Sequence, residues 1–139
     1  LENITQDRLI FQPTMSLIDY LKLHQQIDLA LDTFPYNGGT TTLHSLSMGV
    51  PVIVLAGSTP VSRAGVATLG GAGIPEFAAY SEDEYVARAI EMAQDLPKLN
   101  EVRQSLRVRA APLFNSSAEM VTRPLEDTYR AIWKKWCDS

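Results

Sequence analysis

Cysteine is nearly absent from these 139 residues. Only Cys137 is present, so no disulfide can form within the chain and no metal site can be assembled from several thiolates. A reducing compartment suits such a chain, and the cytoplasm is the expected location. Neither a signal-peptide pattern nor an apolar run approaching the roughly 20 residues that span a bilayer is visible, so no membrane partner is expected. Positive charge is also in short supply, with 12 Lys and Arg against 16 Asp and Glu and a net charge of −4. The basic residues are scattered, and the runs Arg103 to Arg109 and Lys134-Lys135 read as solvated helix faces. That balance argues against a sequence-independent hold on nucleic acid, and small molecules or proteins are the better partners. No internal repeat or low-complexity tract appears, and the hydrophobic share of 45% is that of an ordinary globular protein. Residues 1–139 are read as a single domain. Opening on Leu1 rather than methionine is what an excised or processed piece of a longer protein would show.

Hydrophobic spacing then divides the chain into elements. Leu9-Ile10-Phe11, closed by Pro13, reads as a buried strand and turn. Ser16 and Asp19 form a capping-box-like pair, and Leu17, Tyr20, Leu21 and His24 follow at helical spacing to Gln26. Asp28 to Asp32, apolar between acidic ends, has the look of a short central strand covered on both faces. After Phe34-Pro35 and a loop over Tyr36 to Gly39, Thr41 to Met48 predicts a helix that ends at Gly49. Val52-Ile53-Val54-Leu55 is fully apolar and rich in β-branched residues, as a doubly covered parallel strand should be. Ser62 or a neighbour caps a helix to about Leu69, stopped by Gly70, Gly71 and Gly73, and an extended stretch follows around Ile74 to Ala79. The capping box Ser81-x-x-Glu84 opens a helix through Tyr85, Val86, Ala89, Ile90 and Ala93, and Leu99, Val102 and Leu106 trace another. Ser116-x-x-Glu119 begins the last helical region, whose stripe of Val121, Leu125, Tyr129, Ile132 and Trp136 is expected to cover sheet or helix surface. Pro124 either kinks one helix there or lies in the first turn of a second. Strand and helix in alternation predict an α/β, Rossmann-like parallel sheet with helices on both faces, right-handed crossovers and a helical C-terminal third.

In such sheets ligands sit beyond the carboxyl ends of the strands, where loops lead into helices. Asp32 to Thr42 is the most loaded place of that kind. Gly38 and Gly39 let backbone approach a ligand, and Thr40-Thr41-Thr42 opens a helix with free N–H groups and hydroxyls. A helix start carries roughly half a positive charge, enough to suit a diphosphate without any lysine. Neither GxxxxGK[ST] nor GxGxxG is present, which removes the usual NTPase and dinucleotide signatures. A plain strand-to-helix turn capped by threonine fits the same string. Asp32 fits a residue that merely ends its strand, His24 a packing or solvent-edge histidine, and Arg63 a structural ion-pairing residue. Trp133 and Trp136, spaced with Ile132, fit a packed stripe better than a carbohydrate platform.

The run DLALDTFPYNGGTTTLHSLSMGVPVIVLAG from Asp28, continued by Ser62-Arg63, Gly73-Ile74-Pro75-Glu76, Glu84-Tyr85-Val86 and Leu125-Glu126-x-x-Tyr129-Arg130-x-x-Trp133, resembles the O-linked N-acetylglucosamine transferase family, its bacterial members above all. The resemblance covers essentially the whole chain. It implies the C-terminal half of a GT-B glycosyltransferase, the half that binds the nucleotide-sugar donor. Thr40 and Thr41 would then hold the diphosphate, with Gly38 and Gly39 beside it, and Tyr36 and Asn37 would lie next to the sugar. Tyr20 stands where the family has a histidine packed on uracil, and an aromatic face survives there. His44 stands where the family grips the ribose with an acidic residue, and an imidazole lacks the two-oxygen geometry of a carboxylate. The resemblance further implies UDP-N-acetylglucosamine as donor, no metal or other cofactor, a protein acceptor, and an N-terminal catalytic half with helical repeats as partners. No general base is assigned within this chain. Two alternatives stay open on the residues alone: a GT-B-like sugar-nucleotide epimerase, and a non-catalytic interaction module with a degenerate cleft.

Overall fold

The computed structural model describes residues 4–115 and 117–139. Helix α1 (Leu17–Leu23) starts at Ser16, whose hydroxyl oxygen accepts the Asp19 N–H at 3.2 Å, and runs into a 3-10 turn at His24–Gln26. Strand β1 (Ala30–Leu31) leads through the Asp32–Gly39 loop to α2 (Thr40–Ser47), and Gly49 at φ 78° turns the chain back towards β2 (Val52–Leu55). A 3-10 turn at Pro60–Ser62 precedes α3 (Ala64–Gly71), which Gly73 at φ 69° terminates before β3 (Ala78–Ala79). Ser81 then caps α4 (Glu82–Gln94), with Glu84 accepting the Tyr80 N–H at 2.7 Å and pairing with Arg88 one turn on. That guanidinium bond, then the Tyr80 amide, holds the Glu84 carboxyl below its ordinary range. Asp95 caps α5 (Leu96–Phe114), and α6 (Ala118–Cys137) closes the chain.

The three strands form one parallel sheet in the order β1-β2-β3, with Ala30 opposite Val52 and Val54 opposite Ala78. Successive residues of a strand point to opposite faces, and β2 is buried along its whole length. Val54 lies against Gly65 of α3, whereas Ile53 lines a small cavity with Phe77 and with Met92 of α4, so helices cover both faces as the alternation predicts. Leu46, Ile53, Leu69, Ile74, Phe77 and Leu106 fill the core, each worth about 1.5–3 kcal/mol over the exposed state. No helix among the described residues is long and apolar enough to cross a membrane.

Three expectations are corrected, and the open choice at Pro124 is decided. Leu9-Ile10-Phe11 is neither buried nor paired: Ile10 and Phe11 are 81% and 83% exposed, and no described strand takes up the segment. Apolar composition says what a strand would bury, but only a neighbour supplies the ladder that makes it one. β1 is an edge rather than a central strand, and Leu31 is exposed on it. The stripe on α6 is exposed among the described residues: Val121, Leu125, Tyr129, Ile132, Trp133 and Trp136 all lie open to solvent, the two tryptophans stacked at 5.3 Å. Pro124 lies inside that single helix, whose cap is Ser117, accepting the Met120 N–H at 3.3 Å; Ser116 is outside the described residues.

Candidate functional site

The carboxyl ends of β1 and β2 open into two loops, and both lead to helix starts. In the first loop one carboxylate does the organising. Asp32 Oδ1 accepts the Gly38 N–H at 2.8 Å and the Thr33 N–H at 3.0 Å, while the Thr33 hydroxyl donates to the Tyr36 carbonyl at 2.6 Å. Half-burial pushes the Asp32 carboxyl above its ordinary range, against the lowering effect of those amides and of the Thr42 hydroxyl. Its Oδ2 is buried with no hydrogen-bond partner among the described residues, and the Tyr85 hydroxyl of α4 donates to the Asp32 carbonyl at 2.9 Å. Burial first, and the Asp32 charge second, raise the Tyr85 hydroxyl in turn.

Asn37, only 2% exposed, is the second fixture. Its amide nitrogen donates to the carbonyls of Thr33 at 3.2 Å and Leu55 at 3.3 Å, and its Oδ1 accepts the Gly65 N–H at 3.4 Å. One side chain thereby joins the first loop, the end of β2 and the first turn of α3. Asn37 borders the cleft where the resemblance would put the sugar, but its carboxamide is turned inward and engaged.

Gly38 allows this closeness, since a Cβ there would lie 2.6 Å from the hydroxyls of both Thr41 and Thr42. Gly39 is different, with nothing within 4 Å of such a Cβ, and it is the cap residue of α2. A glycine cap has no side chain to offer, and the first intrahelical bond runs from the Leu43 N–H to the Gly39 carbonyl at 3.0 Å. The amides of Thr40, Thr41 and Thr42 consequently point out of the helix with no partner among the described residues. Unpaired N–H groups at a helix start with exposed hydroxyls beside them favour an anion.

Two depressions flank this start. One, of about 470 Å³, lies between the beginnings of α2 and α3 and is lined by Tyr36, Asn37, Gly39, Thr40, Val61 and Ala64. The other, of about 270 Å³, lies along β1 and holds Asp32, Thr33, Thr41, Thr42 and Ser45. Tyr20 and His44 meet beside α2, rings 5.7 Å apart, with His44 Nδ1 buried and without a hydrogen-bond partner among the described residues. The structure thus groups Tyr36, Asn37, Gly39 and Thr40 in one cleft, pairs Tyr20 with His44, and puts Thr41 in the other depression, over Gly38. Arg63, a candidate ion pair, has no acidic partner among the described residues; its Nη1 donates to the Gly57 carbonyl at 3.1 Å. Sequence reasoning passed over Asp32 as a strand end, although a carboxylate six residues before a Gly-Gly pair is a signal for loop closure. It also passed over Ser45, which His24 finds buried (3.3 Å from Nε2).

A parallel sheet with an open helix start beyond its carboxyl edge defines a Rossmann-like unit. Comparison with known proteins names the kind. Residues 1–122 match the model of Glycosyl transferase family 41, and this chain belongs to that family. It is 42% identical over 120 residues to the Hordeum vulgare protein described as a probable UDP-N-acetylglucosamine-peptide N-acetylglucosaminyltransferase, SPINDLY, with 86% of this chain and 13% of that protein covered. It is 25% identical over 129 residues to the Caenorhabditis elegans UDP-N-acetylglucosamine-peptide N-acetylglucosaminyltransferase, covering 93% and 11%. A mutant O-GlcNAc transferase from Thermobaculum terrenum superposes with a TM-score of 0.81 at 37% identity, over 95% of this chain and 25% of that one. The fold is therefore that of part of a GT-B transferase, and the chain spans about an eighth of the length of the curated relatives it matches.

Proposed function

We propose that this chain binds the nucleoside-diphosphate part of a sugar donor and is the donor half of a protein glycosyltransferase, with UDP-N-acetylglucosamine as the donor. The open first turn of α2 carries the reading: three unpartnered amides, flanked by the Thr40 and Thr41 hydroxyls, stand where a diphosphate would be met. The names of the relatives support the donor and the protein acceptor. In sugar transfer the bond from the anomeric carbon to the diphosphate breaks, a bond to the acceptor oxygen forms, and the acceptor loses its proton. The departing diphosphate gathers negative charge, and a fixed array of N–H donors stabilises it without reorganising. Gly38 and Asp32 hold that array in shape, Tyr36 and Val61 wall the adjoining cleft, and Tyr20 with His44 offers an aromatic flank for the base. The proton acceptor and the acceptor site are assigned to an N-terminal catalytic half and helical repeats outside this chain.

Titration with UDP tests this, using the protein at its natural full length. Thr40→Val and Thr41→Val should each weaken UDP by about 1.5–3 kcal/mol, the worth of a hydrogen bond to a charged group. Undiminished affinity in both variants would move the diphosphate away from α2.

A further inference from the structure

We infer that His24 is a positioning residue for the donor, setting the spacing between the aromatic flank on α1 and the anion-binding start of α2. The inference rests on the donor-site reading above and adds a residue that neither the resemblance nor the open helix start assigns. His24 is 4% exposed, and both ring nitrogens are engaged. Nδ1 lies 2.9 Å from the Tyr20 carbonyl, which can only accept, so Nδ1 carries the proton. Nε2 is then an acceptor 3.3 Å from the Ser45 hydroxyl, which has one proton to share between it and the Thr41 carbonyl. The same hydroxyl lies 3.1 Å from the Thr41 carbonyl, in the first turn of α2. A continuous path of short contacts therefore runs from the Tyr20 backbone through His24 and Ser45 to the Thr41 backbone. The Tyr20 ring packs edge-on against the His24 ring at 4.8 Å, so the imidazole fixes the aromatic side chain as well as its carbonyl.

What such a link does follows from the shape of the ligand. A nucleoside diphosphate is two binding groups on one tether, and the affinity of the whole exceeds that of the parts only when both sites lie at the separation the tether allows. Inorganic pyrophosphate engages the α2 start alone and is indifferent to where α1 stands. His24 and Ser45 should therefore matter to UDP and not to pyrophosphate.

The experiment measures Kd for UDP and for pyrophosphate by calorimetry in the full-length protein and in His24→Gln, His24→Ala and Ser45→Ala. Expected is a loss of roughly three- to tenfold in UDP affinity for His24→Ala and Ser45→Ala, with pyrophosphate unchanged. Partial recovery is expected in His24→Gln, whose amide can still donate to the Tyr20 carbonyl. Combining His24→Ala with Ser45→Ala should cost little more than either alone, because both cut the same path. Equal losses for the two ligands would show a general packing role and overturn the inference, as would UDP binding that none of the variants alters. Ser45→Ala removes a single oxygen and keeps the test open if the His24 variants do not fold. A parent protein that binds no nucleotide would count against the donor-site reading itself, a result distinguishable from all of these.

Discussion

At the end of β1 the Asp32 carboxylate accepts two backbone amides while its second oxygen is buried with no partner among the described residues. Its pKa is raised because desolvation outweighs the hydrogen bonds. The sign of the pH effect follows. A carboxyl whose folded pKa exceeds its unfolded value contributes stability that is fully present below the ordinary value of 3.8 and is lost as pH rises through the folded value. Asp32→Asn keeps an acceptor for Gly38 and Thr33 and removes the charge, so stability relative to the parent should move in favour of the variant between acid and neutral pH. Urea denaturation of both proteins across that range measures it, and a flat or opposite trend would rule out the raised pKa. The Gly-Gly-Thr-Thr-Thr string was legible in the sequence as the turn from a strand into a helix, because glycine and threonine favour that turn. Asn37 and His24 were not legible as fixtures, because their partners lie on other elements, whereas Asp32 bonds within its own loop and was passed over. Asn37 reaches Leu55 and Gly65, and His24 reaches Ser45, 21 positions away.

Helix α3 sits so close to β2 that Gly65 cannot become alanine without displacement, since the new Cβ would lie 2.7 Å from a Val54 methyl and 3.0 Å from Asp32 Oδ2. Gly65→Ala should cost about 1–3 kcal/mol, the usual penalty of forcing a group into a packed contact. Gly70, one turn further along the same helix, has open space around its would-be Cβ and is not in the left-handed region. Gly70→Ala should stabilise by about 0.4–1 kcal/mol by restricting the unfolded chain. Chemical denaturation reads both, and the opposite signs make the pair a test of the α3–β2 approach rather than of glycine content. Some element boundaries followed the sequence, while Gly70 and Gly71, read as stops after Leu69, lie inside α3. Ser16 and Ser81 cap as their spacing predicts, and Gly49 and Gly73 end their helices. Leu9-Ile10-Phe11 failed because a strand is a relation between two segments, and the second one is not among the described residues.

Over the whole molecule, burial is uneven. One face of the sheet packs on α2 and α3 and the other on α4, with α5 against all three helices, while α6 carries its apolar stripe into solvent. Exposed apolar patches of that extent favour association. The 139-residue chain made alone should fold, since its core is closed, and should self-associate through α6 and the bare Leu9 to Phe11 segment. Light scattering should find assemblies larger than a monomer, and replacing Trp133 and Trp136 with lysine should shift them towards the monomer. The same isolated chain should transfer no sugar from labelled UDP-N-acetylglucosamine to acceptor proteins, because the donor half proposed above cannot by itself hold an oriented acceptor. Turnover comparable to the full-length protein would place the catalytic groups within Leu1 to Ser139.

The sequence by itself determined the alternation of strand and helix, the caps, the glycine stops and the open threonine-lined start of α2. Each of these depends on residues within a few positions of one another, where periodicity, φ preference and hydrogen-bonding side chains act directly. Tertiary structure alone decided that β1 is an edge, that α6 stands apart, that Asn37 turns inward and that Asp32 carries a raised pKa. It also decided that a buried histidine ties α1 to α2. These depend on which distant segments meet and on how much water remains between them, and neither quantity is written in the local spacing of residues.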